Sequence, residues 1–445
     1  MAPRLPQVTT TPTVPTQTEV VVIGGGIMGA TIALELAERG IPVVMCEKGL
    51  VGGEQSSRNM GWVRKMARDR SELPLAIESS RLWEGMNERI GADVGYRRSG
   101  VAFLFETKEQ LERNAQWLPV AKEYGVDTRA LTGDEVAALM PSTSRQWGGA
   151  LYTASDGRAE PAQATTTIAN AAARKGAQIM TYCAVRTVET RAGRVAGVVT
   201  ENGFIACNSV VIAGGVWTTL FCRNLKINFP QLKVTVTVVR TAPVPEGPEP
   251  CCSGSDFLMS RTGRGEYILA VPRHAYEIMP DSFRYFWQFR RATAAQLGRL
   301  RLRVGSRFLT ELGYPGSWSG DDHTPFEVER TLNPRPDERV IARLEGMMGN
   351  YFPAFQQFKV MDNWVGVVDV TPDALPVISP VATLPGLFIV SGFSGVGFAV
   401  SPGAGKLAAD LVTGSTPVVD PAPFRLERLA ADHAVGGNLS LGRVK

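Results

Sequence analysis

The stretch EVVVIGGGIMGATIALELAERGIPVVMCEKG, residues 19–49, constrains the fold more than any other part of the chain. Val20 to Ile23 form an unbroken apolar run, as a strand buried on both faces requires. Gly24, Gly26 and Gly29 then fit G-x-G-x-x-G. The first allows a tight turn, the second lets backbone approach a pyrophosphate, and the third lets a helix pack on the strand. A helix is expected from Ile27 to Arg39, with its positive N-terminal end towards the phosphates and Gly40 ending it. IPVVMCE reads as a second strand, which puts Glu47 about twenty residues beyond the turn, where a carboxylate can bind ribose hydroxyls. Strand, turn, helix, strand and acid in this order predict a dinucleotide site touched by Gly24, Gly26, Ile27, Met28, Glu47 and Lys48. A ribose carboxylate suits NAD or FAD and repels the extra phosphate of NADP; the stretch does not choose between the first two. A doubly wound fold with an ordinary glycine turn is the bland alternative.

The 445 residues are enough for two domains. A net charge of +4, without a block of like charges, gives no footing for nucleic acid or an anionic membrane surface. Six scattered cysteines without CxxC spacing and three histidines argue against a structural metal and for reduced thiols, hence a cytoplasmic protein. Residues 1–17, rich in Thr and Pro, read as a flexible tail rather than a secretory signal, and residues 436–445 as a C-terminal tail. No apolar run is long enough for a membrane span.

Two later blocks repeat the strand-and-loop theme. PAQATTTIANAAARKG reads as a helix closed by Gly176; a meander follows, leading into the strand SVVIAGG. Gly214 and Gly215 then expose bare backbone at a strand's carboxyl end, with Trp217 beside them; a plain strand-to-turn exit is the alternative. Near the C-terminus, GLFIVSGFSGVGFAVSPGAGKLAADLVTG is a strand, a loop (Gly392, Phe393, Ser394, Gly395, Val396, Gly397) and a helix expected from about Pro402. Free amides there make an anion-binding concavity, which a flavin ring needs when its N1–C2=O edge becomes negative.

With these residues in view, the chain resembles the flavin amine oxidase superfamily of D-amino-acid oxidase, glycine oxidase, sarcosine oxidase and bacterial D-amino-acid dehydrogenases. Five segments carry the likeness: the opening fingerprint, GGEQSSRNMGWVR, SDGRAEPAQATT through IAGGVW, NWVGVVDVTPDALPVIS, and GLFIVSGFSGVGFAVSPGAGKLAADL. The resemblance implies an α/β, Rossmann-like FAD-binding domain from residues 18–95, 157–235 and 355–435. It implies also an α+β substrate domain with an antiparallel sheet from 96–156 and 236–354. GYRRSGVAFLFET and LKVTVTVVRTAP alternate like strands, and RATAAQLGRLRLRVGSRFL looks like a basic, solvated helix.

By position, Gln55, Ser56, Ser57, Arg58, Asn59, Met60 and Gly61 would contact FAD, as would Val185, Gly366 and Asp369. The histidine that carries flavin covalently in some relatives is absent from SSRNMGWVRKM, so non-covalent FAD is expected. Both family anchors for a substrate carboxylate are missing: WVGVVDVTPD has Val368 at the arginine position, and GFSGVGFA has Val396 and Ala399 where a histidine and a lysine stand. Three explanations stay open. Arg64, Arg68 or Arg273 holds the carboxylate; or the substrate is an amine without one; or an L-amino acid binds in another orientation. Arg64, Lys65 and Arg68 read equally well as a solvated turn. Asp369 reads as a partner for a cation or as a structural carboxylate, Tyr267 as a pocket residue or packing, and Trp62 and Trp217 as pocket walls or core. The expected activity is oxidation of an amino acid's C–N bond by hydride transfer to FAD, the imine hydrolysing to a 2-oxo acid and ammonia. Basic or bulky side chains would suit Asp369 and the aromatics. Demethylation of sarcosine-like amines and a non-catalytic flavoprotein subunit are the alternatives. Oxygen or a quinone as acceptor, handedness and a homodimer are left open.

Overall fold

The computed structural model describes residues 2–272, 275–296 and 301–430. Strand Val20–Ile23 lies between Ser209–Ile212 and Val43–Cys46, all parallel, with Gln178–Met180 and Leu387–Ser391 outside them. Val377–Pro380 completes this six-stranded sheet by pairing antiparallel to Leu387–Ser391. The alternation within Val20–Ile23 explains its unbroken apolar run. Val20 and Val22 pack towards helices Ile27–Glu38, Pro161–Arg174 and Gly397–Thr413, whereas Val21 packs with Val188, Val198 and Ile205 of an antiparallel three-stranded sheet. Each fully buried Val contributes about 1.5–3 kcal/mol relative to exposure.

Glycine is required at two points of the opening turn. Gly24 has φ +111°, and a Cβ there would meet the Ala213 carbonyl oxygen at 2.4 Å; a Cβ on Gly29 would meet the Gly24 oxygen at 1.9 Å. Helix and strand approach this closely only without side chains.

The larger, ten-stranded sheet is built on Leu232–Thr241, which pairs antiparallel with Val360–Val370 on one side and with Tyr267–Ala270 and Ala275–Glu277 on the other. Leu258–Arg261, Cys251–Ser253, Val101–Phe105, Gly149–Thr153 and Thr128–Leu131 extend it. Val360–Val370 joins this sheet although its sequence lies within the last segment assigned to the FAD-binding domain.

Several local readings need correction. The segment 291–309 is not one helix: Phe286–Gln296 is helical, Arg301–Arg303 pairs parallel with Ala275–Glu277, and Arg307–Leu312 is helical again. The C-terminal helix starts at Gly397, so Pro402 lies inside it. Proline cannot donate to the Phe398 carbonyl, and the Ser401 hydroxyl donates to it instead at 2.9 Å. The N-terminal segment is held at several points between Thr9 and Gln17. The Thr9 amide donates to Asn170 Oδ1, the Thr11 amide to the Ile179 carbonyl, and Gln17 bridges to Ala206. Its prolines suit an extended path but do not prevent these contacts. Residues 436–445, the expected C-terminal tail, lie outside the described residues.

Candidate functional site

The carboxyl ends of four strands, at Ile23, Cys46, Ile212 and Ser391, open onto one long cavity. This is where an open α/β sheet binds ligands. Gly24, Gly26, Ile27 and Met28 line it on one side, and Glu47 and Lys48 at the end of the second strand. Gln55, Ser56 and Asn59, then Val185, Gly214, Gly215 and Trp217, form further walls. Asp369, Phe393, Gly395 and Gly397 close the far end.

The local chemistry is arranged by backbone amides. Glu47 accepts the Gly25 amide at 2.6 Å through one carboxylate oxygen and the Gly49 amide at 2.7 Å through the other. Burial raises its pKa, while Lys48 and the two amides pull it back. Remaining lone pairs leave room for ribose hydroxyls. Ser56 Oγ accepts the Ile27 amide at 2.8 Å, capping the fingerprint helix from another turn of the chain. Gln55 Oε1 is buried without a hydrogen-bond partner, which calls for a donor from a bound group.

Asp369 is the hub of the C-terminal loop. Its Oδ2 accepts the Gly392 amide at 2.8 Å, the Phe393 amide at 3.3 Å and Gln231 Nε2 at 3.3 Å. Desolvation pushes its pKa up, partly offset by these amides. The loop's first amides therefore hold Asp369, and a ligand would meet Gly395 and the amino end of helix Gly397–Thr413. Gly392 and Ser394 shape this loop from behind; Ser394 Oγ accepts the Thr371 amide.

A second cavity continues beyond Gln55, Asn59, Val368, Gly395 and Phe398, residues that line both. Val236, Val238 and Leu258 of the large sheet form its floor, with Met60, Trp62, Gly366, Val396 and Ala399 around it. Arg58, Arg64 and Arg68 also line it. These arginines are buried rather than solvated. Arg58 donates to the carbonyls of Gly53, Leu332 and Val365.

Other sequence-derived residues fall elsewhere. Tyr267 is fully buried and its hydroxyl donates to the Pro248 carbonyl at 2.8 Å, so it packs in the core and faces neither cavity. Trp217 lines the first cavity rather than the second; its Nε1 donates to Glu54, and Lys48 sits 4.3 Å above its ring. Ser57, whose hydroxyl donates to the Glu54 carbonyl, and Gly61, whose Cβ would meet the Ala159 oxygen at 2.3 Å, shape the turn from outside the cavities. Arg273 lies outside the described residues. Sequence reasoning missed Phe326, Arg330 and Thr331, which reach the first cavity from a segment assigned to the substrate domain. Arg330 donates to the Lys48 carbonyl and pairs with Glu201. Nothing local in TPFEVERTL signals that role.

A glycine-turned strand–helix unit, a ribose-type carboxylate and an amide loop facing a common cavity define a dinucleotide-dependent oxidoreductase. The flavin is specified by comparison with known proteins. The family model described as FAD dependent oxidoreductase matches residues 19–411, and the chain belongs to that family. L-amino acid deaminase from Proteus myxofaciens, solved in complex with anthranilate, superposes with a TM-score of 0.91 at 34% identity over 96% of each chain. Glycine oxidase from Geobacillus kaustophilus is 27% identical over 92% of this chain and 97% of its own length. The 4-methylaminobutanoate oxidase (formaldehyde-forming) of Paenarthrobacter nicotinovorans is 26% identical over 97% of this chain, which spans only 48% of that protein. No helix among the described residues is long and apolar enough to cross a membrane.

Proposed function

We propose that this chain oxidises the C–N bond of an L-amino acid, with non-covalent FAD in the first cavity and the substrate in the second. The imine product then hydrolyses to a 2-oxo acid and ammonia. The observation that carries this reading is the arginine-lined second cavity continuous with the flavin-type one. Likeness to the L-amino acid deaminase over nearly the whole chain supports the handedness.

Bound FAD supplies a two-electron acceptor for hydride from the substrate's α-carbon. The protein's own residues do the rest. Gly24, Gly26 and the amino end of helix Ile27–Glu38 would hold the pyrophosphate, and Glu47 the ribose. Gly395 and the amino end of helix Gly397–Thr413 favour negative charge at the far end of the cavity. Val236, Val238, Leu258 and Trp62 exclude water and orient the substrate. Arg58, Arg64 and Arg68 attract its carboxylate and disfavour its ammonium form, leaving the neutral amine that oxidation requires. Cys46 is the only thiol or imidazole lining the first cavity among the described residues, and it sits beside Glu47 at the ribose end. That supports FAD without a covalent link, and acid precipitation should release all the yellow colour.

The deciding experiment is anaerobic reduction of the purified flavoprotein with paired L- and D-amino acids and with sarcosine. Bleaching by L-amino acids, with ammonia as product, supports the reading; bleaching by D-enantiomers alone overturns it. Similarity to the formaldehyde-forming 4-methylaminobutanoate oxidase favours a second reading, demethylation of secondary amines, which formaldehyde release would establish. Peroxide formation on reoxidation in air would identify oxygen as acceptor, and its absence would favour a quinone.

A further inference from the structure

The second cavity is lopsided in charge. Three arginines line it, Arg58, Arg64 and Arg68, and no Asp or Glu does among the described residues. Arg64 and Arg68 are 5% and 3% exposed, and Lys65 next to them is 7% exposed. The carboxylates nearest this group already face cations. Asp156 is held by Lys65 Nζ at 3.2 Å, and Glu72 Oε2 lies 3.8 Å from Arg68 Nη1. Glu54, behind Arg58, is held by Lys48 at 3.0 Å. Arg64 Nη1 donates to the Met66 carbonyl and its guanidinium lies over the Phe103 ring. Arg68 Nε donates to the Arg64 carbonyl, but its Nη1 is buried with no hydrogen-bond acceptor.

Burying guanidinium groups in excess of carboxylates is costly unless an anion joins them. Burial, and then Arg68, bring the Arg64 pKa down to about 9, and burial lowers that of Arg68. A guanidinium keeps its charge at neutral pH, so the site answers the cost by recruiting negative charge. An amino acid with one carboxylate brings one. Bound as the neutral amine, it leaves part of the excess unmet, and the cavity offers no carboxylate to receive a basic side chain. Basic amino acids, which suited Asp369 on sequence grounds, therefore do not fit: Asp369 is engaged by the loop amides.

We propose that the preferred substrate is a dicarboxylic amino acid, whose two carboxylates are taken up by the arginine wall, with Arg68 Nη1 donating to one of them. This rests on the amino-acid reading above. The apolar floor of Val236, Val238 and Leu258 then lies against the methylene chain between the charged ends.

The test uses the FAD-loaded full chain and isosteric pairs: L-glutamate against L-glutamine, and L-aspartate against L-asparagine, by anaerobic flavin reduction and steady-state rates. The acid should exceed its amide about tenfold or more in kcat/KM. Arg68→Met should erase the preference chiefly through KM, and Arg68→Lys should restore part of it. Should Arg68→Met fail to fold, the wild-type protein still decides. Glutarate should perturb the flavin spectrum at about tenfold lower concentration than pentanoate, which has the same chain length and one carboxylate. Amides or neutral amino acids matching the acids, or glutarate binding no tighter than pentanoate, would overturn this inference and leave the amino-acid reading standing. If no amino acid bleaches the flavin, the amino-acid reading itself fails, and this inference falls with it.

Discussion

The first cavity takes in the glycine turns at the carboxyl ends of its strands, whereas the second lies against side chains of the large sheet. Glycines 24, 26, 214, 215, 395 and 397 and the ends of two helices surround the first. Methionine, tryptophan, valines, a leucine and three arginines surround the second. Glycine turns offer backbone amides to a ligand whatever side chains stand nearby, whereas a wall of side chains changes with each substitution. On the proposed reading, the chain separates what it must bind to do any chemistry from what decides which molecule reacts.

Breaking the backbone side should have the largest effect. Gly24→Val combines a φ of +111° with contact against the Ala213 oxygen at 2.4 Å. The backbone term alone is about 1–3 kcal/mol. Colourless or insoluble protein is expected, read from the 450 nm to 280 nm absorbance ratio. Normal flavin content would show that the turn can relax.

Asp369→Ala comes next. Removing the acceptor strands the Gly392 and Phe393 amides, at about 1–3 kcal/mol for each buried group left unpaired. FAD affinity, measured by quenching of flavin fluorescence, should fall at least about tenfold. Asp369→Asn, which keeps an acceptor oxygen, should recover part of it. Equal affinity in all three proteins would mean that the loop holds itself.

The side-chain cavity should behave otherwise. Val238→Ala, in its floor, should cost about 1–2 kcal/mol of stability and raise KM a fewfold, with flavin content unchanged. Loss of flavin in this variant would erase the contrast.

The smallest expected effect is in acid. The segment around Phe326 and Arg330 reaches the first cavity by side chains and is pinned through Glu327 to Arg186, at 2.9 and 3.0 Å. Burial alone would raise the Glu327 pKa, but the Arg186 hydrogen bonds, the Thr324 amide and the Thr324 hydroxyl bring it to about 2. A carboxyl lowered on folding stabilises the protein above its unfolded value of about 4.3 and loses that contribution as pH falls towards 2. Trp318, whose Nε1 donates to the Arg186 carbonyl, can report the loosening by fluorescence over that window. Arg186→Met should move the transition to higher pH; an unchanged midpoint would show that Glu327 does not control it.

The same contrast explains what was legible in the sequence. Gly24, Gly26, Gly395 and Gly397 could be placed at a cavity because each need is local, a turn, a close approach or a helix end recognised within a few residues, and Glu47 because its spacing from the turn is regular. The parallel core could be read from its apolar strands for the same reason. Pro402 misled the placement of a helix start because the Ser401 hydroxyl covers the missing donor. Tyr267 could not be told from a pocket residue, because either role puts an aromatic on a strand; only the position of Pro248 shows where its hydroxyl points. Arg68 read equally well as a solvated turn, since burial depends on elements distant in sequence.

The sequence by itself determined the dinucleotide-binding frame, because glycine's missing side chain and the periodicity of strands act over short stretches. Only the tertiary structure decided that Val238, Leu258 and Val396 share a wall with Arg58, Arg64 and Arg68. It also decided that Arg330 lines the first cavity and that the arginines lie away from water. Cavities and buried charge are properties of several chain segments at once. Desolvation, which gives those arginines their force, exists only when the segments meet.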